Sequence, residues 1–222
     1  MSFKIVKSSI QRNPFIGLFM RTNDSVSLVP KQFSAKNLAQ VESVFETRVV
    51  ELFISQSPLI GILTALNNNG VVLPAFAEEE EKRLLKKEGL NVCVLFTPFA
   101  PGNLILASDK GILASPLLSK KQIVEVRDCL GAEVFQQSVA GINTVGSSSV
   151  ATNNGVLAFN RASAVELKFL EKVFKTHALN SSCNMGVEFN SLGVVANSRG
   201  ALVGELTSGF ETQRIYEALS GD

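Results

Sequence analysis

Residues 14–30 (PFIGLFMRTNDSVSLVP) lie over residues 58–74 (PLIGILTALNNNGVVLP) without a gap, so Pro14, Gly17, Asn23 and Pro30 fall on Pro58, Gly61, Asn67 and Pro74. Three further copies begin at Pro101 (PGNLILASDKGILASP), Thr144 (TVGSSSVATNNGVLAF) and Ser191 (SLGVVANSRGALVGEL). The turn position recurs at Val26, Gly70, Gly111, Gly155 and Gly200, in steps of 44, 41, 44 and 45 residues. A period of that size marks one supersecondary unit per repeat. No such unit buries its apolar face alone, and no long linker separates the copies, so they are expected to share a single core. The expectation is therefore one domain over 1–222, with repeats near 14–55, 58–98, 101–140, 144–189 and 191–219.

Within each repeat, two Val/Leu/Ile-rich strands flank Asn-, Asp- or Gly-containing turns, whose residues tolerate the positive φ of a tight hairpin. Helices follow. Ser119 with Gln122, Ser163 with Glu166 and Ser208 with Glu211 have capping-box spacing. Apolar residues recur at helical period in Leu38, Val41 and Phe45, in Ile123, Val126 and Leu130, and in Leu167, Leu170 and Phe174. EEEEKRLLKK, acids first and bases last, suits the helix dipole and reads as a solvated helix start. Its consecutive carboxylates point in different directions and do not make a metal site.

A further strand-like run follows each of the first three helices, at 49–54, 91–97 and 133–140, and a less regular one, 178–189, follows the fourth. The fifth helix is followed only by Ser220, Gly221 and Asp222, while residues 3–10 belong to no repeat. The N-terminal run is therefore expected to supply the missing strand and close a ring, which removes exposed strand edges.

The chain carries 21 Lys plus Arg against 20 Asp plus Glu, a formal charge of +1, so no broad basic field marks a nucleic-acid binder and any RNA contact must be local. No apolar run approaches the ~18 residues of a membrane span, and MSFKIVKSSIQRN lacks the apolar stretch of a secretory signal. Cys93, Cys129 and Cys183, odd in number and widely spaced, argue against a disulfide framework or a zinc site and fit a reduced cytoplasm. Cys93 and Cys129 alternate with apolar neighbours and read as small core residues. The 15 Phe are scattered and read as core rather than base-stacking groups, with Phe99 in an exposed loop. No phosphate-cradling loop is present, so nucleotide hydrolysis would belong to a partner.

Gly-Asn-Leu-Ile-Leu from Gly102, the turn at Asp109, Thr-Val-Gly-Ser from Thr144, Thr-Asn-Asn-Gly from Thr152 and Val-Val-Ala-Asn-Ser-Arg-Gly from Val194 stand in order along the whole chain. With the repeat, these phrases resemble the translation initiation factor 6 family of ribosome anti-association factors, in its short archaeal form. The resemblance implies an α/β pentein, a five-fold pseudosymmetric α/β propeller of ββαβ repeats closed by the N-terminal strand. It implies a monomeric cytoplasmic protein that binds the large ribosomal subunit on its subunit-joining face, against a ribosomal protein beside the sarcin-ricin loop and local ribosomal RNA. Occupying that face excludes the small subunit sterically. Release passes through a translational GTPase and an assembly factor, and the protein serves initiation and large-subunit biogenesis without cofactor, metal or catalysis.

The same resemblance places the contact surface on one rim of the ring, at Gly17, Gly61 with Ile62, Gly102 with Asn103, and Gly146 with Ser147 and Ser148. Asn103 stands where the family has a ribosome-contacting Asn. Ile62 and Asn68 stand where eukaryotic members carry basic residues, and Ser148 where they carry an aromatic. For the glycines a second reading is open, in which they serve only the convergence of the chain around the axis. The pentein class also contains deiminases and amidinotransferases, whose Cys nucleophile needs a His and paired acids. The residues available for that chemistry are His177, Cys183 and Glu188, although His177 also suits the C-terminal end of the fourth helix.

Overall fold

In each hairpin the first turn residue holds the bend with its own side chain. The structure, a computed structural model, describes residues 3–221. Asn23 Oδ1 accepts from the N–H groups of Ser25 and Val26, both at 2.7 Å, and Asn67 and Asn197 repeat the motif. Thr152 Oγ1 does the same toward Asn154 and Gly155. Positive φ is not what the turn glycines supply, since Gly70, Gly111, Gly155 and Gly200 all lie outside that region. They leave room for the C-terminal carbonyls of the next repeat's helix: a Cβ would stand 2.5 Å from Cys129 O at Gly70, 2.0 Å from Val173 O at Gly111 and 1.9 Å from Ala218 O at Gly155. The first repeat instead carries Val26, which packs with Leu85 of the second repeat's helix, only nine residues long.

These hairpins build five three-stranded sheets. Strands β1 (Lys4–Ser8), β2 (Arg21–Thr22), β3 (Val26–Pro30) and β4 (Arg48–Leu52) come first, with helix α1 (Ala35–Phe45) between β3 and β4. In the first repeat β3 is central, antiparallel to β2 and parallel to β4. The later repeats follow the same plan, and their outer helices span Glu79–Lys87, Lys120–Leu130, Ala164–Phe174 and Gly209–Leu219. In the fifth sheet β1 takes the third place, parallel to Gly200–Gly204 with Lys4 opposite Gly200 and Ser8 opposite Gly204. The N-terminal strand closes the five-fold α/β ring, as the repeat arithmetic requires. The third strands of the third and fourth repeats are shorter than their apolar runs, Val134–Gln136 and Ala178–Asn180.

The apolar side chains form five clusters rather than the single core expected. Each joins neighbouring repeats: Leu28 with Leu73, Val72 with Ile112, Leu113 with Val156, Leu157 with Val194, and Leu202 with Val29. Every repeat thus lends one face of its sheet to each neighbour, which is why no repeat is complete without two others.

The three capping boxes read from sequence are present, and Glu78 with Glu81 adds a fourth. The residue at the third helical position has a second task, tying its helix to the loop behind it. Glu81 accepts from Ser55 N, Gln122 donates to Phe96 O, Glu166 accepts from Ala140 N, and Asn37 donates to Ser9 O. Glu211 does most, accepting from Ser208 N (2.8 Å), Met185 N (3.1 Å), Gly186 N (2.9 Å) and Ser182 Oγ (2.7 Å). Burial works to raise the pKa of Glu211, and these donors outweigh it, holding it down to about 2. A carboxylate depressed in the folded state stabilises above its unfolded pKa of about 4.3 and loses that contribution as pH falls toward its folded value. Acid titration of unfolding free energy should therefore show a fall between about pH 4.5 and pH 2 that Glu211→Gln reduces, the remainder belonging to carboxyls such as Glu166, where burial works upward and hydrogen bonds from Ser163 and Ala140 outweigh it and hold the pKa low. At neutral pH, Glu211→Ala should cost about 2 kcal/mol, because it removes the shared acceptor of four partly buried donors.

Candidate functional site

Gly17, Gly61, Gly102 and Gly146 do not begin strands. They lie in short helical turns, Ile16–Leu18, Ile60–Leu63, Pro101–Leu104 and Val145–Ser148, with Asn190–Gly193 as the fifth. The inner strands start only after these turns, at Arg21, Ala65, Ile105, Val150 and Val194. Tight turns suit the site because each glycine rests on the backbone of the turn before it. A Cβ would stand 1.8 Å from Gly17 O at Gly61, 2.5 Å from Gly61 O at Gly102, 2.3 Å from Gly102 O at Gly146, and 1.9 Å from Ser191 O at Gly17. All four glycines are buried. The geometry thus gives them the convergence role.

Arg21 reinforces that convergence. Its Nε donates to Gly61 O (2.8 Å), one terminal nitrogen to Ser191 Oγ (2.7 Å) and the other to Gly102 O (3.3 Å), which staples three turns together. The guanidinium borders a central cavity of about 40 Å³ that all five repeats line, with Leu66, Leu106, Val150 and Val195 among the walls. Burial lowers its pKa to about 10, so the group remains charged at neutral pH.

On the outer surface of the turns the candidates divide. Ile62 and Asn103 are half-buried, whereas Ser147 and Ser148 are buried. The Ser147 and Ser148 hydroxyls are turned back onto Thr144 O and Val145 O. The Asn103 backbone N–H donates to Ala100 O, but among the described residues its side-chain amide has no hydrogen-bond partner. An apolar group surrounds this end of the second and third sheets: Phe96 is 76% exposed, Phe76 56%, Phe99 46% and Leu117 45%. Phe76 and Phe96 lie just beyond the paired strand ends Pro74 and Leu95, the Phe96 carbonyl is held by Gln122, and Ser115 N donates to Leu104 O beside the Asn103 turn. The sequence pattern reads the phenylalanines mostly as core, with Phe99 exposed. Phe45 and Phe174 are indeed fully buried, but Phe76 and Phe96 fall in irregular segments where no periodicity reports a face.

Asn68 belongs elsewhere. The inner strand Ala65–Leu66 separates it from Ile62, and it sits among the hairpin tips at the opposite end of the ring. There Asn68 Oδ1 accepts from Asp24 N, Asp109 Oδ1 from Asn68 N, Asn153 Oδ1 from Asp109 N, and Asp24 Oδ1 from Ser198 N. Asn68 Nδ2 also bridges the Asp24 and Asp109 carboxylates. Its polar groups serve this network, so the structure does not bring Asn68 to the surface that carries Asn103.

The eIF-6 family model matches residues 5–218. The chain belongs to that family. A protein named Translation initiation factor 6 from Pyrobaculum arsenaticum is 42% identical over 98% of this chain and 99% of its own length. Its namesake from Aeropyrum pernix is 44% identical over 99% and 97%, and that from Pyrococcus horikoshii 34% over 97% and 98%. Among solved structures, a DDAH mutant from Pseudomonas aeruginosa complexed with citrulline aligns with 93% of this chain and 73% of its own. The two chains are 12% identical, with a TM-score of 0.43.

In this eIF-6 family member, the residues a guanidine-modifying centre would use have separate partners. His177 lies beyond the fourth helix, which ends at Phe174, and its Nε2 meets Glu217 O near the end of the fifth repeat's helix at 2.9 Å. The imidazole therefore serves a neighbouring helix end rather than its own. Cys183 is fully buried, and burial, aided by the Glu211 charge, pushes its thiol up to about 12. Glu188 pairs with Arg161 at 2.6 Å. Among the described residues, no group of three or more His, Cys, Asp or Glu could hold a metal ion, and no helix is long and apolar enough to cross a membrane.

Proposed function

We propose that the chain acts in translation initiation by binding the large ribosomal subunit on its subunit-joining face and sterically preventing association with the small subunit. The reading rests on membership of the eIF-6 family across 5–218 and on relatives that carry the name Translation initiation factor 6. The observation that fits it best is the turn end of the second and third repeats, which carries Asn103, its amide unpaired among the described residues, and the exposed Phe76, Phe96, Phe99 and Leu117. Apolar anchors around a polar group suit a protein partner, here a ribosomal protein beside the sarcin-ricin loop, with ribosomal RNA contacts confined to the margin. A face of ~800 Å² per partner is enough for stable binding. In this proposal the whole chain, 1–222, is one domain that works in the cytoplasm by occupancy alone. A translational GTPase and an assembly factor release it, which links it to large-subunit biogenesis.

Of the contacts expected from sequence, Asn103 and Ile62 remain in the proposal as surface groups, with the glycines beneath them as support. Asn103→Arg places a charge where an apolar surface must close. Co-sedimentation with isolated large subunits should show affinity falling at least tenfold while Tm stays within about 2 °C of wild type. Undiminished binding would remove Asn103 from the interface.

A further inference from the structure

Two of the three cysteines meet on the flank of the ring between the second and third repeats. Cys93 lies in the strand Asn91–Leu95 and Cys129 one residue before the end of the helix Lys120–Leu130. Both thiols are free; Cys129 is 6% exposed and Cys93 half-buried. The Cys129 sulfur is 3.4 Å from Val71 O and 3.6 Å from Asn91 O, which seats it on the strand that carries Cys93. Cys93 packs against the same apolar cluster. The two residues also share the wall of an open groove with Lys86, Glu125 and Asp128. Cys183, by contrast, is fully buried in a different cluster.

We propose that Cys93 and Cys129 form a reversible redox site, which a hydroperoxide converts into an intramolecular disulfide joining the second and third repeats. Peroxide enters from the groove, whose wall both residues line, and meets Cys129, the thiol that its neighbour holds low. The Cys129 sulfur attacks the peroxide oxygen, the O–O bond breaks and an S–O bond forms, giving a sulfenic acid and one molecule of water when the oxidant is hydrogen peroxide. The Cys93 thiol then attacks the sulfenic sulfur, the S–S bond forms, the S–O bond breaks, and hydroxide leaves as a second water with the thiol proton. Two electrons pass from the thiol pair to the peroxide, and a dithiol reductant returns them by exchange. The interaction with Cys129, followed by burial, holds the Cys93 thiol above its ordinary pKa, and the same interaction holds the Cys129 thiol below its own. Because the thiolate is the nucleophile, oxidation should quicken as pH rises above neutrality.

The full-length protein, reduced and then exposed to millimolar hydrogen peroxide, should lose two hydrogens by intact mass. Peptide mapping should join the Cys93 and Cys129 peptides and leave Cys183 free to alkylate after unfolding. Tm should rise by roughly 5–10 °C on oxidation and return on addition of dithiothreitol. Cys93→Ser should abolish both the cross-link and the shift. The proposal is overturned if the product is a disulfide-linked dimer, a singly oxidised Cys129 that Cys93 does not resolve, a cross-link involving Cys183, or unmodified protein. It also fails if the mapped disulfide forms but Tm does not rise.

Discussion

Deleting residues 1–10 should destabilise the protein by about 5 kcal/mol or more, the largest effect expected of any single change. The deletion removes β1, the third strand of the fifth sheet, with its parallel pairing to Gly200–Gly204. Phe3 and Ile10, both buried, go with it, as do the partly buried Ile5 and Val6, which pack against two different inter-repeat clusters. At roughly 1.5–3 kcal/mol per fully buried side chain, the two buried residues alone account for several kcal/mol. Asn37 loses its acceptors at Ser8 Oγ and Ser9 O, and Gly200–Gly204 becomes an open edge prone to pair with another chain. Urea unfolding of the truncated chain should show a sharply lower midpoint, accompanied by aggregation. A truncated chain with unchanged Tm would mean that the ring does not depend on its N-terminal strand.

The second large effect concerns the glycine turns. Gly61→Ala would place a Cβ 1.8 Å from Gly17 O, 2.8 Å from Gly17 C and 2.9 Å from Met20 O, all backbone atoms that no rotamer change can move aside. Alanine's better helix propensity is worth at most about 1 kcal/mol, whereas forced displacement of packed backbone costs about 3 kcal/mol or more, so the overlap decides the sign. Gly209→Ala is the control: it opens the last helix, a Cβ there meets nothing within 4 Å, and the change should be neutral or stabilising by up to about 1 kcal/mol. Calorimetry of the two variants separates them. If Gly61→Ala melts with wild type, the turns do not converge as described and the glycines are free for other roles.

The closed ring was legible because it follows from counting: five hairpins, five helices, four internal third strands and an unassigned N-terminal run. What the glycines do was less legible. At Gly70, Gly111 and Gly155 the usual association of turn glycine with positive φ misleads, because the constraint is a helix carbonyl from the next repeat and no local pattern encodes that neighbour. The Asn23 and Asn67 side chains, which hold the bends, were visible only as turn residues. Arg21 gives no sequence signal of burial, since its partners at Gly61, Gly102 and Ser191 lie 40, 81 and 170 residues away. Asn68 aligned with a position of functional interest, yet it faces Asp24 and Asp109 across the hairpin end of the ring. Phe76 and Phe96 escaped for the opposite reason: hydrophobicity suggests burial, and only the ends of the sheets reveal that nothing covers them.

Subunit joining followed on sucrose gradients tests the central claim most directly. Purified large subunits preincubated with a molar excess of this protein should carry it in their fraction and fail to form complete ribosomes when small subunits are added. Free formation of complete ribosomes at saturating protein would contradict the account, whatever the fold or the family.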